Sequence, residues 1–515
     1  MSLAAFQNAK TKGDQLALAD ERQQITWAAL DNILNRGTNA LLAMGIDGDR
    51  IGVFAPNSVE GVLAYQFGLH AGISSVPINF HLTVDEVAYI LSDSNTRILF
   101  VGPETVDIGL EAAKRSGVKT VIGWRCPTRD GLIAWENWLA AASDAAPPSN
   151  MKPRPHLHYT SGTTGRPKGT QTPPNMFPPG ATIADFFAAL RETYRANGER
   201  SPFLVVSPMY HTGPLGSVRS LGGGAALVVL SRFDAENLLH AVEAYRIEGS
   251  VMVPTHFQRL LALPEETRAK YDVSSLKYVA HTGAACPRDV KQQMIDWWGP
   301  VLLEAYGATE AGTTNMITSE EWLRRPGSVG KTVPQFELVV IDDDGKRLGV
   351  NQIGRLFFRD TTGRGIVYHN DAEKTRAAHI EPGVFTLGEV GYFDDEGYVF
   401  ITDRVSDMIV SGGVNIYPAE TELVLIEHPE VADVAVIGAP NAEMGEEVKA
   451  LIIARDPNSP PSEAELNAYC RERLAGFKCP RSYEFVGDIG RNAMGKVNKK
   501  ELKRRYWPTE RTIGG

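Results

Sequence analysis

Residues 159–169 read Tyr-Thr-Ser-Gly-Thr-Thr-Gly-Arg-Pro-Lys-Gly. The stretch follows an alternating run, His156-Leu157-His158-Tyr159, whose period of two marks the end of a strand. Its glycines and Pro167 forbid a continuing helix or a regular ladder. What remains is a loop whose backbone N–H groups, Gly162 among them, can converge on one concavity. Thr160, Ser161, Thr163 and Thr164 add hydroxyls and Lys168 adds a positive charge. Such a nest suits phosphate oxygens.

The stretch is not a Walker loop, which needs glycine directly before its lysine and a hydroxyl after it. Here Arg166-Pro167 precede Lys168 and Gly169 follows. Upstream, Ile51 to Phe54 is a short apolar run, and Asn57-Ser58 can cap a helix through Ala71 with its apolar residues mostly on one side. Val76 to Ile78, a helix capped by Thr83, and Ile98 to Val101 repeat the alternation, which predicts a parallel sheet. Ala145 to Pro155, with four prolines, is a connector.

Downstream the alternation returns. Phe203 to Val206, Ser250 to Val253, Leu276 to Ala280 and Val301 to Leu303 read as strands. Helices over Thr182–Arg195, after Asp234, and over Arg288–Trp297 separate them. From Gly327 to Arg404 short β runs are punctuated by Asp343-Asp344-Gly345 and Asp395-Glu396-Gly397, which predict hairpins in a small antiparallel sheet or barrel. After Arg404 a compact unit follows, with strands at Val434–Ile437 and Val448–Ile453 and a helix over Ser462–Leu474. The fold class is therefore α/β. Layered α/β subdomains plus a β-barrel make a large domain over residues 1–404, and a small mobile α+β domain spans 405–515.

A chain of 515 residues exceeds one ordinary domain. Its hydrophobic share of 43% and charged share of 22% are those of a globular protein. No apolar run reaches the ~18 residues that span a bilayer, and the N-terminus lacks a secretory core. Cys126, Cys286, Cys470 and Cys479 have no paired or metal-type spacing, which suits free thiols in a reducing cytoplasm. A formal charge of −10 argues against a general nucleic-acid binder. Nothing in the pattern opposes a homodimer.

The 159–169 stretch resembles the phosphate-loop signature of the adenylate-forming superfamily, whose members include acyl-CoA synthetases, luciferases and peptide-synthetase adenylation domains. Further stretches follow in that family's order. Tyr210-His211-Thr212-Gly213-Pro214 matches the segment that borders the acyl pocket and gates the thiol. Thr282-Gly283-Ala284-Ala285 has the tiny side chains that let a flat ligand lie against backbone, and the resemblance implies adenine and acyl contacts there. Glu304-Ala305-Tyr306-Gly307-Ala308-Thr309-Glu310 matches the nucleotide motif. Tyr306 would stack on adenine, Thr309 would donate to the α-phosphate, and Glu310 would hold Mg²⁺.

Leu387-Gly388-Glu389 and Asp403-Arg404 match the ribose-binding positions, with Glu389 where the family normally has Asp. A carboxylate one methylene longer can accept both ribose hydroxyls if the backbone or the ribose shifts slightly. Ser406 takes the hinge position, usually Asp or Lys, and Gly412-Gly413 matches the thiolation face. Lys496, alone merely one lysine of a basic tail, matches the lysine that the C-terminal domain inserts during adenylation.

The resemblance implies the acyl-CoA synthetase branch, with ATP, Mg²⁺ and coenzyme A. A carboxylic acid and ATP would give acyl-adenylate and pyrophosphate, and a thiol would then displace AMP. The alternatives are a free-standing enzyme that loads a carrier protein or amine, and a weakened nucleotide- or acyl-binding homologue. The acyl-pocket candidates are His211, Gly213, Val253, His256, Gly283, Ala284 and Ala308. None is Lys or Arg, so the expected acid is a hydrophobic monocarboxylate, whether fatty, aryl or alicyclic.

Overall fold

In the first third of the chain, apolar runs separated by capped helices build a five-stranded parallel sheet. Its spatial order is Ser74–Pro77, Arg50–Phe54, Thr96–Val101, Thr120–Gly123 and Leu132–Ala134. The computed structural model describes residues 4–46, 49–160, 167–173, 176–342, 344–404, 407–411, 414–441, 444–492 and 495–507. The expected caps are present. Ser58 Oγ accepts from Gly61 N at 3.1 Å, and Thr83 forms a reciprocal box with Glu86.

The helix Val59–His70 departs from the one-sided pattern expected of it, because all twelve of its residues are buried. It lies between the first sheet and the helices Trp27–Ala43 and Thr212–Gly223. Glu60, Gln66 and His70 each find a partner inside the protein. Gln66 Nε2 donates to Val218 O at 2.7 Å, and Glu60 pairs with Arg125 at 3.0 Å.

The second layered unit and the expected barrel form one continuous sheet. Parallel strands run from Leu16–Ala19 through Leu227–Val229, Phe203–Val205, Gly249–Met252 and Tyr278–His281 to Leu302–Ala308. Antiparallel strands then carry the sheet onward to Gly354–Asp360 and beyond. The strand Leu302–Ala308 belongs to both regimes, parallel to one neighbour and antiparallel to the other. It is longer than the sequence pattern indicates, so the Glu304–Ala308 motif is itself a strand and Thr309-Glu310 is its turn.

The C-terminal unit pairs Val431–Asn441 with Gly445–Ala454, flanked by Ile409–Ser411 and by a parallel strand at Ser482–Phe485. The helices Pro418–Ile426, Glu463–Arg471 and Lys499–Arg504 complete it. No helix among the described residues is long and apolar enough to cross a membrane.

One buried side chain ties the two large sheets together. Asn57 Nδ2 donates to Ser207 O at 3.0 Å and to Leu230 O at 3.2 Å, and its Oδ1 accepts from Met209 N at 2.9 Å. These bonds fix the 207–211 loop that follows the Phe203–Val205 strand. Asn57→Ala leaves three buried backbone groups without partners. It should lower the free energy of unfolding by about 3 kcal/mol, read from denaturant titration against wild type.

Candidate active site

The parallel strands of the large sheet end along one edge, where loops carry chemistry in folds of this kind. After Phe203–Val205 comes the loop to His211, which stands at the N-cap of the helix Thr212–Gly223. After Gly249–Met252, Val253 caps the helix Pro254–Leu261. After Tyr278–His281 come Gly283, in the left-handed region at φ 92°, Ala284 and Ala285. Ala305, Tyr306, Gly307 and Ala308 lie on the next strand, and its turn presents Thr309 and Glu310.

Two hydrogen bonds draw these loops together. Thr212 Oγ1 and Thr309 Oγ1 are 3.0 Å apart, and Thr160 Oγ1 lies 3.4 Å from Glu310 Oε1. Thr160 ends a strand that pairs antiparallel with Lys168–Gln171, placing Lys168 opposite Thr160. Ser161, Gly162, Thr163 and Thr164 lie outside the described residues, as do Ser406, Gly412 and Gly413.

A second lysine, passed over in the sequence, joins Lys168. Lys374 stands on the short helix Ala372–Ala377, with Nζ 3.8 Å from the Tyr368 ring centre. Partial burial lowers its pKa to about 8, helped by Lys168 and opposed by Glu310 and Asp371. Burial, then the Glu310 charge, pushes the Tyr368 hydroxyl up. Two ammonium groups beside one carboxylate could receive an anion together with a cation.

Mg²⁺ fits that donor set. It favours one or two carboxylates, with phosphate oxygens and waters completing its shell. Glu310 offers one carboxylate, and no cluster of three or more His, Cys, Asp or Glu metal donors forms among the described residues.

Glu389 is 4% exposed and opens a strand in register with Arg404. His211 is largely enclosed, and burial lowers its pKa to about 4, with the Lys496 charge as the second cause. It is neutral at pH 7. Lys496 itself is exposed, on the turn after Asn492, whose Oδ1 accepts from Lys496 N at 3.0 Å. That turn rests on the large domain, because a Cβ on Gly495 would come within 2.7 Å of Thr255 Cγ2. The C-terminal unit thus brings Lys496 to the edge that carries His211 and the Thr212–Thr309 contact.

Gly213 faces Val251 and Thr282, at 3.4 Å and 3.7 Å from where its Cβ would stand. His256 packs face to face on Phe233, with ring centres 4.2 Å apart, and burial lowers its pKa to about 3. Glu304 is committed elsewhere: its Oε2 accepts from Lys291 Nζ at 2.6 Å. Lys291 is fully buried, on the helix Arg288–Trp298, with its ammonium 4.8 Å from the Trp322 ring centre. His281 lies 3.7 Å from the same carboxylate, but burial and the Lys291 charge hold it neutral, so the contact is no ion pair. Periodicity alone does not mark Lys291, since a lysine on a helix ordinarily faces water.

Arg219 likewise carries no local signal in the sequence. It lies on the Thr212–Gly223 helix beyond Gly216, and its guanidinium donates to Met176 O.

The profile of the AMP-binding enzyme family matches residues 5–365, and that of the AMP-binding enzyme C-terminal domain matches residues 420–496. Over 499 residues the chain is 32% identical to the long-chain-fatty-acid–CoA ligase FadD13 of Mycobacterium tuberculosis, covering 94% of each chain. It is 33% identical to a feruloyl-CoA synthase of Amycolatopsis sp, again over 94% of each. The crystal structure of the anthranilate CoA ligase AuaEII with anthranoyl-AMP superposes with a TM-score of 0.84 at 25% identity, covering 98% of this chain and 97% of that one.

Two outcomes follow from this geometry. Lys291→Met strands a buried carboxylate and should cost about 3–5 kcal/mol of stability, most of it regained in Lys291→Met/Glu304→Leu, read by denaturant titration. Lys374 loses its proton as pH rises through about 8, so its help to a polyphosphate is present below that value and lost above it. Calorimetry should therefore find ATP binding about fivefold weaker near pH 9 than near pH 7, with the difference largely gone in Lys374→Met.

Proposed function

This chain belongs to the AMP-binding enzyme family, and from that membership we propose that it is an AMP-forming acid–coenzyme A ligase. The observation that carries the proposal is the seating of the Lys496 turn against Thr255, with the lysine charge felt at His211. A lysine from a separate unit brought to the phosphate edge answers a specific need. A carboxylate attacking the α-phosphorus of ATP meets charge repulsion, and fixed positive charge relieves it as negative charge develops.

In the first step a carboxylate oxygen bonds to the α-phosphorus and the bond to pyrophosphate breaks. Lys168 and Lys374 take the phosphates, Thr309 orients the α-phosphate, and Glu389 with Arg404 receives the ribose. Mg²⁺ held at Glu310 would supply further positive charge against the departing pyrophosphate. Ala284, Ala285 and Tyr306 line the adenine side. In the second step the coenzyme A thiol, losing its proton, bonds to the carbonyl carbon and AMP leaves. Neutral His211 shapes the thiol's approach without adding charge. A rotation of residues 405–515 about Ser406, bringing Gly412-Gly413 to the pantetheine arm, would serve this second step.

Gly213, Val253, Gly283, Ala284 and Ala308 support an acid with an apolar body, whether fatty, aryl or alicyclic. A cytoplasmic setting, where ATP, Mg²⁺ and coenzyme A are at hand and four free cysteines stay reduced, accompanies this reading.

The proposal is tested by pyrophosphate release across a panel of carboxylic acids, with and without coenzyme A. Turnover that needs coenzyme A supports it. A single stoichiometric burst that coenzyme A does not extend would point to a carrier or amine acceptor. ATP binding without turnover would point to a weakened homologue. Lys496→Ala should slow adenylation at least about 100-fold, while a synthetic acyl-adenylate is still converted to thioester at near wild-type rate.

A further inference from the structure

Positions 213, 216 and 219 are successive i, i+3 neighbours on the helix Thr212–Gly223, so Gly216 adjoins both Gly213 and Arg219. Gly213 looks across at Val251 and Thr282. A Cβ built on Gly216 would meet a single atom within 4 Å, Nη2 of Arg219 at 3.6 Å. The space over Gly216 is therefore open, and the guanidinium closes its far side. This direction is natural, because long helical side chains fold back toward the helix N-terminus, here toward His211.

Among the described residues that guanidinium has no counter-charge within ion-pair distance, and it makes one hydrogen bond, to the Met176 carbonyl. Desolvation lowers its pKa to about 10, yet the residue is only half-buried and keeps some contact with solvent. The titratable groups that feel its charge are His156 and His158, and His158 also feels His211. Burial keeps all three histidines neutral at pH 7. A largely desolvated cation beside the open space over Gly216, among neutral rings and with most of its five donors uncommitted, suits an anion.

We propose that Arg219 anchors a second, anionic group at the far end of the acyl substrate, a distal carboxylate above all. This rests on the ligase reading and refines it. The acid keeps its apolar body against the small residues, but it carries an anion where a hydrophobic monocarboxylate would end in a methyl group. Gly216 lies five positions beyond His211, a rise of about 7–8 Å along the helix. The acid is accordingly compact, an aryl, alicyclic or short aliphatic diacid rather than a long saturated chain. A planar fork suits a carboxylate better than an ammonium would.

The test uses matched acids: terephthalate, its monomethyl ester and para-toluate, and adipate, its monomethyl ester and hexanoate. Each is assayed for pyrophosphate release with wild type, Arg219→Met and Arg219→Lys, and for the shift in melting temperature it causes in the presence of AMP. Wild type should favour at least one diacid over its ester and methyl partners by about tenfold or more in kcat/KM. Arg219→Met should reverse that order through KM, and Arg219→Lys should retain part of it.

Unliganded Arg219→Met should melt at or above the wild-type temperature, since an uncompensated buried charge is gone. A purely structural arginine would instead lower the melting temperature and slow all acids alike, and that result overturns the proposal. So does a wild type that prefers the methyl partners in both sets. Should no acid be turned over, the ligase reading fails, and the melting shifts still decide. Stabilisation of wild type but not of Arg219→Met by a diacid supports the anion site, and equal stabilisation of both refutes it.

Discussion

Two anions must meet for this molecule to act, and a carboxylate does not approach a polyphosphate unless fixed positive charge stands between them. The fold is arranged around that repulsion. Parallel strands bring loops from distant parts of the chain to one edge, and Lys168, Lys374 and Lys496 arrive there from a strand, a short helix and a separate C-terminal unit. Glu310 is the carboxylate set among them. Its bond to Thr160 and the Thr212–Thr309 contact close the circle on the acyl side.

Holding those charges in place falls to buried polar groups away from the edge. Asn57 spends three hydrogen bonds on fixing the loop that ends at His211. Lys291 neutralises Glu304 beneath the strand that presents Tyr306, Thr309 and Glu310. Each is strongly destabilising if only one partner is lost, so the rigidity of the site and the stability of the core draw on the same contacts.

The loops were the legible part of the sequence, because glycine, proline and hydroxyl residues in fixed order restrict a backbone locally. Caps were legible for the same reason: Ser58, Thr83 and Asp234 sit where their short side chains can take up free N–H groups. What stayed hidden depends on contacts far apart in the chain. The helix Val59–His70 is buried throughout only because a second sheet's helices cover its other side. Leu16–Ala19 pairs with Leu227–Val229 across more than two hundred residues. Nothing local in the sequence marks Arg219 or Lys291, and only the assembled core shows one beside the open space over Gly216 and the other sealed against Glu304.

The central claim is that the acid's own oxygen bonds to the α-phosphorus. The most direct measurement is the fate of ¹⁸O from a doubly labelled carboxylate, followed by mass spectrometry through one full turnover with ATP and coenzyme A, using whichever acid the panel identifies. An acyl-adenylate route leaves one labelled oxygen in AMP and none in inorganic phosphate. Label in inorganic phosphate, with ADP as the nucleotide product, would contradict the account.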